Sequence, residues 1–90
     1  MELEQNDNDL ALYPNPAQDR LRFRLEDNSR GSIVLHLRNA IGQVLVEAGY
    51  HKSGKMLERP IDLHGIPAGL YFLELESELG RKVAKLLIER

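Results

Sequence analysis

Polar and apolar residues alternate along much of this 90-residue chain. Residues 20–25 alternate strictly between arginine and an apolar side chain, and residues 32–38, 44–48 and 71–76 repeat the pattern. A period of two places successive side chains on opposite faces of a β-strand. No stretch shows the apolar spacing of an amphipathic helix together with a helix cap. The alternation therefore predicts half-buried strands and an all-β fold.

Turn-forming residues separate the alternating stretches at regular intervals. Asn39 and Gly42, for example, occupy the first and last positions that suit a type I turn. Short strands at this spacing are typical of a β-sandwich or barrel. Seven strands are predicted, at about 9–13, 20–26, 32–39, 43–51, 55–62, 69–77 and 81–89.

The sequences of two of these strands predict where each lies in its sheet. Pro60 lacks a backbone donor, so the fifth strand should lie at a sheet edge or end there. The seventh strand has apolar residues on both faces, with Val83 and Leu87 on one and Ala84, Leu86 and Ile88 on the other. Burial on both sides favours an interior strand. The alternative is a terminal strand against which a partner docks.

Composition argues against several classes of function. A net charge of −2 makes neither nucleic acid nor an anionic membrane the expected partner. The chain has no cysteine, and its histidines, His36, His51 and His64, have no ligand-type neighbours at metal spacing. No catalytic motif or phosphate-binding loop is recognisable. We therefore expect no enzyme, no cofactor and no metal.

The first nine residues differ in composition from the rest. They contain Glu2, Glu4, Asp7 and Asp9 without any lysine or arginine, which is typical of a solvated linker. We therefore assign residues 1–9 to an acidic linker and residues 10–90 to one domain. No apolar run is long enough to span a membrane, and no signal peptide follows Met1. We expect the chain to be a piece of a longer, exported protein.

Two short strings of turn residues lie near the ends of the domain. Pro14 and Pro16 each fix φ near −65° and push the preceding residue towards extended geometry, which predicts a stiff corner after the first strand. Pro67 suits the first central position of a turn, and Gly69 can take a positive φ just before Tyr71 enters the sheet. Both strings contain residues that are typical of turns rather than of catalytic sites. The chain is therefore expected to be recognised rather than to catalyse.

Taken together, these motifs resemble the type IX secretion system C-terminal sorting domain, type A, of Bacteroidetes. The similarity extends from about Leu10 to Arg90. It rests on a Tyr-Pro-Asn-Pro corner, an Asn-x-x-Gly hairpin, a loop that ends in Gly-x-Tyr, and a last strand that bears lysine. In this chain they read Tyr13-Pro14-Asn15-Pro16, Asn39-Ala40-Ile41-Gly42, Gly69-Leu70-Tyr71 and Lys82 to Arg90 with Lys85.

The resemblance implies a seven-stranded antiparallel Greek-key β-sandwich, immunoglobulin-like, which directs an attached cargo from the periplasm across the outer membrane. The implied partners are the outer-membrane translocon, a shuttle protein and a cell-surface sortase, which in many members removes the domain; removal and retention are both compatible with this sequence. The cargo then reaches the cell surface or the medium. Self-association through the terminal strand is a further expectation. The candidate recognition residues are Pro14, Asn15, Pro16, Gly69, Tyr71, Lys85, Leu86, Leu87, Ile88, Glu89 and Arg90.

Three other functions are considered. A carbohydrate-binding or adhesion sandwich would need exposed, coplanar aromatic side chains. Among the aromatic residues, Phe23 and Tyr71 fall on apolar-face positions, and Tyr50 and Phe72 are the possible surface contacts. A structural spacer of a surface protein would need the chain to continue beyond Arg90. An enzyme is the last alternative, because no catalytic set is recognisable.

Overall fold

The computed structural model describes residues 9–90 and contains seven strands in two layers. Every strand pairing within the layers is antiparallel. The strands are β1 (Leu10–Tyr13), β2 (Arg20–Glu26), β3 (Gly31–Asn39), β4 (Val44–Lys52), β5 (Met56–Asp62), β6 (Gly69–Ser77) and β7 (Gly80–Ile88). Each begins and ends within one residue of the limits predicted from the sequence.

The seven strands form an immunoglobulin-like sandwich. One sheet has the order β1-β2-β5 and the other β4-β3-β6-β7. The chain crosses between the sheets after β2, β4 and β5, so that β5 pairs with β2 and β6 with β3. This is the Greek-key connection of β-sandwiches. The predicted fold class is confirmed, and so is the place of Pro60, because β5 is one of the two edge strands of the smaller sheet.

The core lies between the inner faces of the two sheets. Leu21, Phe23 and Leu25 of β2 face the apolar residues of β3, β6 and β7, as the alternation predicts. Tyr50 packs edge-on against Phe23 with ring centroids 5.3 Å apart. Phe23 and Tyr71 are buried, as predicted, and Tyr50 is half-buried against the core rather than a free surface aromatic.

The prediction that the last strand lies in the interior of a sheet is wrong. β7 is an edge strand of the four-stranded sheet and pairs within it with β6 alone. Its inner face supplies Ala84, Leu86 and Ile88 to the core. On its outer face, Leu87 lies opposite Leu70, and both are about two-fifths exposed. The second apolar face is thus a surface rather than a second core contact.

A buried lysine fastens the turns at one end of the sandwich. Lys52 is 1% exposed, and its Nζ donates to the carbonyl oxygens of Asp27 at 2.7 Å, Ser29 at 3.0 Å and Gly54 at 2.7 Å. The Asp27 carboxylate lies 3.2 Å from the same nitrogen. Burial of a charge is costly unless it is paired and hydrogen-bonded, and here both conditions hold. The β2–β3 and β4–β5 connections are therefore joined through one side chain.

Residues 1–8 of the predicted acidic linker lie outside the part of the chain that the structure describes. Asp9 is bonded to the sandwich, since its carbonyl accepts a hydrogen bond from the Glu26 N–H at 2.8 Å. Its carboxylate lies 3.2 Å from Lys82 Nζ. The division between linker and domain stays a prediction.

Candidate recognition site

The side chain of Asn15 pairs with the free edge of β7. Its amide nitrogen donates to the Lys85 carbonyl at 2.9 Å, and its carbonyl oxygen accepts from the Leu87 N–H at 3.0 Å. The amide therefore imitates one residue of an extra strand, because it offers the same donor and acceptor as a peptide unit. The corner built by Pro14 and Pro16 holds Asn15 at this position through fixed φ values.

Two residues later, the backbone of Ala17 also pairs with the edge of β7. Ala17 is fully buried, its N–H donates to the Leu87 carbonyl at 2.8 Å, and its carbonyl accepts from the Glu89 N–H at 2.8 Å. Ala17 and Ile88 form a parallel bridge outside the main ladders. We call the pairing of residues 15–17 with residues 85–89 the β7 joint. It closes part of an edge that would otherwise expose unpaired backbone groups.

Arg90 fastens the end of β7 to the β5–β6 loop. Its guanidinium donates to the carbonyl oxygens of Ile66 at 2.8 Å and Leu63 at 2.7 Å. It also lies 2.5 Å from the Asp19 carboxylate. Asp19 in turn accepts a backbone hydrogen bond from Leu63 at 2.8 Å. A planar guanidinium with several fixed donors suits such a convergence of acceptors.

The loop before β6 is closed by a tyrosine. The Tyr71 hydroxyl donates to the Pro67 carbonyl at 2.6 Å, and the residue is only 5% exposed. A tyrosine near the start of this strand that bonds back to the preceding corner is a recurring device of immunoglobulin-like sandwiches. Gly69, between the two, has φ +154°, which side chains rarely adopt, so the expected positive φ is confirmed.

An ion pair supports the first corner from the smaller sheet. The Tyr13 hydroxyl donates to the Glu58 carboxylate, and Arg22 Nε lies 3.0 Å from the same oxygen. The Tyr13 hydrogen bond, followed by the Arg22 bond, holds the pKa of Glu58 below its ordinary value. The same hydrogen bond raises the pKa of Tyr13. The Tyr-Pro-Asn-Pro string is thus fastened at its tyrosine to β5 and at its asparagine to β7.

The predicted recognition residues meet at one end of the sandwich, but they differ in accessibility. Lys85, Leu87 and Glu89 are exposed, whereas Leu86 and Ile88 are at most 1% exposed and belong to the core. Tyr71 is buried and Gly69 half-buried. Pro14, Asn15, Pro16 and Arg90 are exposed, with Asn15 and Arg90 engaged in the contacts above.

Two residues of this site were missed by the sequence reasoning. Ala17 acts through its backbone, and no property of an alanine side chain indicates such a role. Asp19 follows a turn and carries a charge opposite to that of Arg90, but 71 residues separate them, so only the fold shows the pairing. Among residues 9–90 no cluster of His, Asp or Glu could hold a metal ion. No helix in that part of the chain is long and apolar enough to cross a membrane.

Fold and site together define an immunoglobulin-like module in which the first corner and the last strand are fastened to each other. The Tyr-Pro-Asn-Pro, Gly-x-Tyr and last-strand motifs all serve this arrangement. The sequence model of the secretion system C-terminal sorting domain matches residues 11–89. The chain belongs to this family, the sorting domains of the type IX (Por) secretion system. No curated protein matches the sequence significantly.

The fold is similar to part of a solved structure, that of dimeric latent PorU from Porphyromonas gingivalis. The TM-score is 0.65 at 20% sequence identity, and the match covers 96% of this chain. It covers 10% of the PorU chain, so this chain spans about a tenth of that protein's length. At this identity the similarity supports the sandwich fold and nothing finer.

Proposed function

We propose that this domain is a non-catalytic address that carries an attached cargo protein through the periplasm and across the outer membrane by the type IX pathway. The family match over residues 11–89 is the observation that carries the proposal. The geometry is consistent with a sorting signal rather than an active site, since the polar motif residues form hydrogen bonds that hold the corner together. The translocon, a shuttle protein and a cell-surface sortase are the partners we infer.

The surface that we assign to recognition is the exposed side of the last two strands beside the β7 joint. Leu87 and Leu70 lie side by side there, and Phe72 and Lys85 form the neighbouring cross-strand pair. An exposed apolar pair with an adjacent cation suits a protein partner better than water. The buried Leu86 and Ile88 would act by positioning this surface. Pro14, Asn15, Pro16, Gly69, Tyr71, Glu89 and Arg90 would do the same through the corner.

After export, we propose that the sortase cuts the chain within the acidic residues 1–9 and joins the cargo to the cell surface. Retention of the domain is the alternative, and both leave the recognition step unchanged. The carbohydrate-binding alternative gains no support from the aromatic side chains, all five of which lie in the described part of the chain. Only Tyr13 is as much as 40% exposed, and its hydroxyl is bonded to Glu58.

A reporter fusion tests the proposed function. Residues 1–90 are fused to the C-terminus of a reporter that carries its own export signal to the periplasm, in a bacterium with a type IX system. We expect the reporter in the medium or on the cell surface, and in the periplasm of the same strain without its translocon. Periplasmic retention in both strains would contradict the proposed function.

Two matched variants test the recognition surface separately. Leu87 and Leu45 are exposed to similar extents, 39% and 43%, in the two edge strands of the same sheet. We expect Leu87→Ser to lower secretion at an unchanged melting temperature, and Leu45→Ser to leave secretion intact. Equal secretion of both variants would refute the proposed recognition surface but not the proposed role of the domain as a sorting signal.

A further inference from the structure

The turn between β3 and β4 is fixed in shape by the side chain of Asn39. Its Oδ1 accepts hydrogen bonds from the N–H groups of Ile41 at 3.1 Å and Gln43 at 2.9 Å, and its Nδ2 donates to the Gln43 side chain at 2.9 Å. The Gly42 N–H donates to the Asn39 carbonyl at 3.0 Å, and Gly42 takes a φ of +90°, which favours glycine. An asparagine that bonds the backbone two residues further on is a recurring device of turns. The Asn-x-x-Gly motif therefore builds a rigid hairpin tip.

This tip presents Ile41, the most exposed large apolar side chain among residues 9–90, at 80%. A single exposed apolar side chain is ordinary on a protein surface. Ile41 is not isolated, however. Because Asn39 is the register partner of Tyr71, the turn lies beside the start of β6, where Leu70 pairs with Leu87. The hairpin tip and the exposed leucine pair therefore share one end of the four-stranded sheet.

A row of apolar and basic residues connects the hairpin with the surface that we assign to recognition. Val44 of β4 pairs with Arg38 of β3, Arg38 pairs with Phe72 of β6, and Phe72 pairs with Lys85 of β7. Residues directly opposite each other in a sheet lie on the same face, so all four belong to its outer face. Leu45 has no register partner in β3 and lies outside the row. Apolar and basic side chains thus alternate across the whole width of the sheet.

The charges on this outer face are unevenly divided. The row beside the hairpin holds two cations and no carboxylate, whereas the next row holds Glu47, His36 and Glu74. These carboxylates already have partners, since Glu47 lies 2.7 Å from His36, and Glu74 lies 3.1 Å from Arg81 and 3.5 Å from Arg38. Arg38 also donates to the carbonyl of the turn glycine at 3.0 Å, and its side chain stays 36% exposed. The apolar end of the face is therefore bordered by positive charge.

We propose that the β3–β4 hairpin is a second contact of the domain with its export machinery, in which Ile41 enters an apolar pocket bordered by carboxylates on a protein partner. The proposal rests on the proposed sorting function and names the partner surface that this function requires. A turn already fixed in shape loses little conformational entropy on binding. An apolar centre with a polar rim of complementary charge is the ordinary anatomy of a protein interface. A net charge of −2 and the carboxylates one row away favour a protein over an anionic membrane.

The β6–β7 hairpin, at the opposite end of the sheet, supplies a matched control. Its Leu79 is 60% exposed, precedes a glycine of positive φ as Ile41 does, and likewise donates its N–H at 3.1 Å to a side chain two residues earlier. In the reporter fusion, we expect Ile41→Ser to lower the secreted fraction several-fold and Leu79→Ser to leave it unchanged, both at the wild-type melting temperature. Ile41→Leu should restore secretion. Equal secretion of the two serine variants, whether high or low, would overturn the proposal, whereas retention of the wild-type fusion would contradict the sorting function itself.

The charge at position 40 tests the chemistry of the partner. Ala40 is exposed next to Ile41 in the turn. We expect Ala40→Glu to lower secretion several-fold, because a new carboxylate would meet those of the partner, and Ala40→Lys to retain it. Secretion indifferent to this charge would refute a carboxylate-bordered pocket. The purified wild-type domain should not sediment with vesicles of phosphatidylglycerol and phosphatidylethanolamine, and sedimentation that Ile41→Ser abolishes would overturn the proposal in favour of a membrane surface.

Discussion

At the scale of single residues, the motif positions act through hydrogen bonds to the backbone rather than through reactive chemistry. Asn15 completes the edge of β7, Tyr71 closes the loop before β6, and Arg90 collects the carbonyls of that loop. Each of these hydrogen bonds joins one segment of the chain to another. Residues of this kind are needed for shape, and a partner that reads the shape depends on them indirectly.

Removal of the Tyr71 hydroxyl tests this role. We expect Tyr71→Phe to lower the free energy of unfolding by about 1 kcal/mol, because the bond to the Pro67 carbonyl is lost while the buried ring is kept. That corresponds to a fall of roughly 5 °C in the melting temperature for a domain of this size. Thermal unfolding followed by circular dichroism measures it.

Tyr50 supplies the matched control. It is half-buried, and its hydroxyl makes no hydrogen bond to residues 9–90, so Tyr50→Phe should change the melting temperature little. Equal effects of the two substitutions would show that the Pro67 bond contributes nothing specific.

At the scale of secondary-structure elements, the two ends of the sandwich are fastened differently. One end uses the backbone pairing of the β7 joint, and the other uses the buried pair of Lys52 and Asp27. Burial raises the pKa of the Asp27 carboxyl, but hydrogen bonds from Ser29 and the contact with Lys52 outweigh it and hold the pKa below its ordinary value. The second fastening is therefore sensitive to acid.

The depressed pKa of Asp27 predicts a pH dependence of stability. The stabilisation by ionised Asp27 is complete above its unfolded-state pKa, about 3.9. It is lost as the pH falls through the lower folded-state value, since protonation is then coupled to unfolding. Below about pH 4, the free energy of unfolding from urea titrations should fall more steeply for the wild type than for Asp27→Asn. Parallel pH profiles of the two proteins would contradict this assignment.

The strands and their limits were predictable from the sequence, but which strands pair with each other was not. Period-two alternation is a local property, so strand limits such as 20–26 and 69–77 follow directly from it. The apolar outer face of β7 led to the prediction of an interior strand. Alternation alone does not show whether protein or solvent covers a face. Leu87 lies beside Leu70 at the surface instead. Sheet order depends on contacts between distant residues, which local patterns do not encode.

At the scale of the whole molecule, the β7 joint connects parts of the chain that are about 70 residues apart in sequence. The two prolines and the Gly-x-Tyr string predicted stiff corners correctly, but not that the first corner lies against the last strand. Long-range contacts of this kind make the sandwich one cooperative unit. The central claim of our account is that Asn15 and Ala17 complete the edge of β7 and thereby shape the recognition surface.

Amide hydrogen exchange of the Leu87 N–H tests that claim most directly. In the wild type this N–H is bonded to the Asn15 side chain, so we predict clear protection. Asn15→Ala should speed its exchange by roughly fivefold or more, as expected for the loss of about 1 kcal/mol, with little change at core amides such as that of Leu73. An unprotected Leu87 amide in the wild type, or unchanged protection in the variant, would contradict the claim.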